Sequence, residues 1–156
     1  MRMICGLDVA GEIAEIGANV SGWKIGERVL IDPRNRVEGG LVGETIHGGL
    51  AEYCRVKEHQ LVRIPDGVSF DQASSLPVAY GTAHRMMMTI GQVTSDDKIL
   101  ILGASGGVGT GALLLAKMAG AEVVVCASSD SKMEKLKSLG ADHAMTYMNN
   151  EFHKGV

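Results

Sequence analysis

The chain has 156 residues, of which 46% are hydrophobic and 21% charged, with a formal net charge of −3 and a pI near 5.9. This composition excludes a disordered tail, which would be poor in apolar residues and rich in net charge. The scattered Lys and Arg form no basic stripe, which sets nucleic acid aside as a partner. Twenty-one glycines make up about 13% of the chain, against a usual value near 7%, and they lack the three-residue period of collagen. No apolar run approaches the roughly 18 residues of a membrane span. Asp8 interrupts the N-terminal stretch before a signal-peptide core can form, so the expectation is a cytoplasmic protein without a membrane partner. Cys5, Cys54 and Cys126 form no C-x-x-C pair and read as reduced, mostly buried thiols.

Residues 1–75 read as short strands and turns. Val9 to Ile16, Arg28 to Ile31 and Leu50 to Val56 carry β-formers between glycines, and Ile64-Pro65-Asp66-Gly67 signals a turn. This texture predicts part of a small, curved β-barrel. Asp71 to Ser75 reads as a short helix, leading into a longer one over Pro77 to Ile90 that connects two regions across residues 76–97. Met86, Met87 and Met88 on that helix read as core and hinge packing.

From residue 98 the period changes. Ile99-Leu100-Ile101-Leu102 is the continuous apolar run of a strand covered on both faces. A helix over about 107–119, a strand at Val123-Val124-Val125, a helix from Asp130 to Leu139 stopped by Gly140 and a strand from Ala144 to Tyr147 follow. The predicted class is α/β. Residues 98–156 form the first β-α-β-α-β half of a doubly wound Rossmann sheet.

Gly103-Ala104-Ser105-Gly106-Gly107-Val108-Gly109 follows the first of these strands and opens a helix. Its spacing is G-x-x-G-x-x-G. A pyrophosphate needs close backbone approach and the free N–H groups of a helix N-terminus, and this loop supplies both. An acidic residue at the end of the second strand would bind the ribose hydroxyls of NAD. Ala127 stands there, followed by Ser128, Ser129 and Lys132. Hydroxyls and an ammonium accept a 2′-phosphate that a carboxylate would repel, so NADP(H) is favoured over NAD(H). The competing reading of Lys132 is a solvated helix charge.

The glycine loop resembles the medium-chain dehydrogenase/reductase superfamily, together with Gly6-Leu7-Asp8-Val9-Ala10-Gly11-Glu12, Gly48-Gly49-Leu50-Ala51-Glu52-Tyr53, Leu76-Pro77-Val78-Ala79-Tyr80-Gly81-Thr82-Ala83 and Leu139-Gly140-Ala141-Asp142. The nearest branch is the quinone oxidoreductase-like and alcohol dehydrogenase-like proteins. The resemblance implies a partial GroES-like β domain over 1–75 and a partial Rossmann domain over 98–156. It further implies truncation at both ends, and hydride transfer between NADP(H) and a small molecule such as a quinone or enone. Tyr80 and Thr82 would help position substrate or cofactor, although Tyr80 is equally read as a packed helix aromatic. Tyr147 would approach the adenosine phosphate. The family's zinc enzymes place a histidine where Leu7 stands and a second ligand near Ser74, and their four-cysteine loop would fall within residues 34–46, which hold no cysteine. No zinc is therefore expected. Two other readings stay open: a non-catalytic dinucleotide-binding module, and a fragment of a zinc-type alcohol dehydrogenase. In the Rossmann strand order the first strand is central, so Ile99–Leu102 would be an exposed edge in this chain, and a homo-oligomer through that edge is expected.

Overall fold

A computed structural model of the protein describes residues 3–147. The chain divides into two compact units, Met1–Val78 and Ala79–Val156.

The first unit is built on an antiparallel meander of β1 (Ala10–Glu12), β2 (Arg28–Ile31) and β3 (Leu61–Arg63). Ala10 pairs with Leu30, and Leu30 with Val62. Alternation along β2 turns Val29 and Ile31 inward, where they are buried with Ile13, Val42, Ile64 and Ala73. Helix α1 (Phe70–Ser74) starts at a capping box: Gln72 N–H donates to Ser69 Oγ, and Ser69 N–H donates to Gln72 Oε1. The Arg28 guanidinium lies 4.6 Å from the Phe70 ring centroid, fastening α1 to β2. Gly6, Gly43 and Gly48 of this unit sit where two backbones cross. A Cβ on Gly48 would stand 2.3 Å from the carbonyl oxygen of Gly6, so the crossing admits no side chain there.

Two sequence expectations need correction in this unit. Leu50 to Val56 forms no strand. Leu50 N–H reaches Cys5 O, but residues 51–56 make no backbone–backbone hydrogen bond among the described residues, and Leu50 and Tyr53 are exposed. The third strand is Leu61–Arg63 instead. It is three residues long and its middle residue, Val62, is half exposed, so it presents no apolar pattern.

A continuous run of helical turns covers residues 76–90: a π-helical turn Leu76–Tyr80, α2 (Gly81–His84) and a second π-helical turn Arg85–Ile90. Within the first unit, Val78 N–H donates to Asp8 Oδ1 at 3.2 Å.

In the second unit β4 (Lys98–Ile101), β5 (Glu122–Ala127) and β6 (His143–Thr146) form a parallel sheet in the order β4-β5-β6. The register places Ile101 beside Val125 and Ala127 beside Thr146. Helices α3 (Gly107–Met118) and α4 (Asp130–Ser138) make the crossovers. Val123, Val125, Cys126 and Ala127 of β5 are fully buried, as expected of the middle strand, and Val123, Val125 and Ala127 pack with Ala112, Leu113 and Ala116 of α3 and Leu136 of α4. Lys117 Nζ bridges both oxygens of Asp142 at 3.0 and 2.8 Å and also donates to Ala121 O, while Val123 N–H donates to Asp142 Oδ2 at 2.7 Å. One carboxylate thus joins the end of α3 to the starts of β5 and β6. These donors hold the Asp142 carboxyl below the usual aspartate range, Lys117 first.

Candidate functional site

The loop between β4 and α3 lies at the carboxyl edge of the parallel sheet, where open α/β folds bind ligands. Gly103 turns the chain with a φ of 62°, in the left-handed region that glycine tolerates. Ala104 is buried, and its N–H donates to Cys126 O at 3.1 Å, fixing the loop to β5. Ser105 is exposed at the tip. Gly106 N–H donates to Gly103 O at 3.0 Å, and Gly106 is then extended as the N-cap of α3.

The first helical bond runs from Thr110 N–H to Gly106 O at 2.8 Å. The N–H groups of Gly107, Val108 and Gly109 therefore have no protein acceptor among the described residues, and no side chain caps the helix. No acidic residue stands in the first turn. Thr110 Oγ1 donates to Ala104 O at 3.1 Å, pinning the helix against the loop. A Cβ on Gly109 would lie 2.7 Å from both Ala104 Cα and Gly103 O, so a bare residue is required for this approach. Unpartnered N–H groups at the positive end of a 12-residue helix, facing a loop without bulk, form a cradle for an anion such as a pyrophosphate.

Four further residues named from sequence, Ser128, Ser129, Lys132 and Tyr147, stand at or just past the ends of β5 and β6. Ala127 ends β5 fully buried, and half-buried Ser128 follows it. Lys132, one turn into α4, donates from Nζ to Ser128 Oγ at 3.1 Å. Ser129 caps α4, with its Oγ 3.3 Å from Ser131 Oγ. The register between β5 and β6 ends with Ala127 beside Thr146, and Tyr147, 45% exposed, follows directly. No carboxylate occupies the position that ends β5, although exposed Asp130 begins α4.

Tyr80 and Thr82 stand elsewhere, on the run of helical turns that packs against α3. Tyr80 is half-buried with its ring against α3, and Thr82 is exposed; neither side chain makes a hydrogen bond among the described residues. Neither lines the groove beside the glycine loop. That groove, of about 420 Å³, is bounded by Gly103 and Gly106–Gly109 at one end and by Met86, Met87, Leu100 and Leu102 at the other. The sequence reading missed these apolar walls. It placed the three methionines in core and hinge packing, but only Met87 packs against the core, while Met86 and Met88 are exposed. The signal lay in three consecutive methionines, which cannot all share one inward face of a helix.

Among the described residues, no group of three or more His, Cys, Asp or Glu is placed to hold a metal ion. At the two positions where the family resemblance seeks zinc ligands, Leu7 offers no donor atom, and the Ser74 hydroxyl donates to Asp71 O at 3.2 Å. This donor set does not fit zinc. Burial pushes the Cys126 thiol up, as it does that of Cys54, so neither is an activated thiolate.

A parallel sheet with a glycine loop opening into the first crossover helix defines a dinucleotide-binding α/β protein. The alcohol dehydrogenase GroES-like domain profile matches residues 1–66, and the zinc-binding dehydrogenase profile matches residues 107–156. The chain belongs to the medium-chain dehydrogenase/reductase superfamily, whose members are nicotinamide dinucleotide-dependent oxidoreductases, with a GroES-like part and a Rossmann-like parallel sheet.

It is 41% identical over 148 residues to the 2-methylene-furan-3-one reductase of Solanum lycopersicum, across 94% of this chain and 37% of that protein. It is 38% identical over 143 residues to the chloroplastic NADPH-dependent alkenal/one oxidoreductase of Arabidopsis thaliana, across 91% of this chain and 36% of that protein. Among solved structures, an NAD-dependent alcohol dehydrogenase superposes with a TM-score of 0.91 at 30% identity, over 97% of this chain and 49% of its own. The chain therefore spans less than half the length of these relatives.

Proposed function

We propose that this chain carries the dinucleotide-binding part of an NADP(H)-dependent reductase acting on electron-poor carbon, of the enone or quinone type, without zinc. The observation that carries the reading is the cradle at Gly106–Gly109, with three unpartnered N–H groups and no acidic side chain in the first turn of α3.

Ser128 and Lys132, joined at 3.1 Å at the end of β5, supply a hydroxyl and an ammonium for a 2′-phosphate. The relatives named for NADPH-dependent alkenal/one reduction and for furanone reduction support the same choice of cofactor and substrate class. When bound, reduced nicotinamide supplies a hydride. The chain's own residues bind and orient: α3 fixes the pyrophosphate, Lys132 and Tyr147 flank the adenosine end, and the Met86–Met87 wall excludes water from the apolar side of the groove. Without a zinc donor set, charge developing on a substrate oxygen must be met by hydrogen-bond donors.

Oxidation of NADPH, followed by absorbance with a panel of enones and quinones and with a chelator present, tests the activity. Chelator-resistant oxidation is expected. Binding of NADPH without oxidation of it by any acceptor would support the non-catalytic reading instead, and loss of activity on chelation would restore a metal-dependent one.

A further inference from the structure

We draw no further inference here: the strongest candidate, the apolar groove of about 420 Å³ that Met86, Met87, Leu100 and Leu102 wall beside the glycine loop, belongs to the dinucleotide site already described, and nothing in the structure identifies a second ligand for it.

Discussion

Lys132 reaches back one helical turn to Ser128, and this 3.1 Å contact holds an ammonium at the end of β5 that would otherwise sweep through solvent. Ordering it in advance lowers the entropic cost of meeting a 2′-phosphate. NADH carries a hydroxyl at that point, so the charge gives it little. Replacing Lys132 by Ala should weaken NADPH by about tenfold or more, on the scale of a charge-assisted hydrogen bond, and leave NADH within about twofold. The ratio of the two dissociation constants, from fluorescence titration, is the readout. The residue types at this edge were legible in the sequence because the glycine spacing and the apolar strand locate the end of β5 by counting. The Ser128–Lys132 pairing and the packing of the Tyr80 ring on α3 were not, because each depends on a side-chain direction or an interhelical distance that spacing does not encode.

At the scale of elements, the parallel sheet was readable and the antiparallel one only in part. Strands β4 and β5 both announce themselves as apolar runs, but only β5 is covered on both faces; the expectation of the same cover for Ile99–Leu102 fails, because Leu100 and Leu102 are 42% and 64% exposed. β3 needs only three residues, and its place is set by its partner β2, so local composition misplaced it to Leu50–Val56. The π-helical turns were invisible for a similar reason: they reflect hydrogen-bond offset, not residue type.

The clamp of Lys117 on Asp142 makes an element-level prediction. The carboxyl titrates below its ordinary value of 3.8 in the folded chain. Its contribution is therefore complete above the unfolded pKa and is lost as pH falls through the lower folded value. Wild type should unfold at a higher temperature than Asp142→Asn near neutral pH, with the gap narrowing below pH 3.8. A gap that is constant from neutral pH down to the acid limit would contradict the clamp. The Lys98–Glu122–His143 contacts at the same end of the sheet are solvent-exposed and should matter less.

For the molecule as a whole, the glycine content and the order of the strands carry the consequences. Gly6, Gly43 and Gly48 stand where backbones cross in the first unit, and Gly103, Gly106, Gly107, Gly109 and Gly111 gather at the loop and first turns of α3 in the second. Among the described residues β4 pairs only with β5, and Leu100 and Leu102 are 42% and 64% exposed at that edge. An unpaired apolar edge is a template for another chain, and we propose that a second copy covers it. Light scattering should then give at least twice the mass calculated for one chain, falling to one chain in Leu100→Lys. A monomer at all concentrations would count against this.

The central claim is that the loop at Gly103–Gly109 holds NADP(H), and calorimetric titration of the full chain with NADPH and with NADH tests it most directly. Saturable one-to-one binding of both is expected, with NADPH tighter by about tenfold or more. Tighter binding of NADH, or no binding of either, would contradict it.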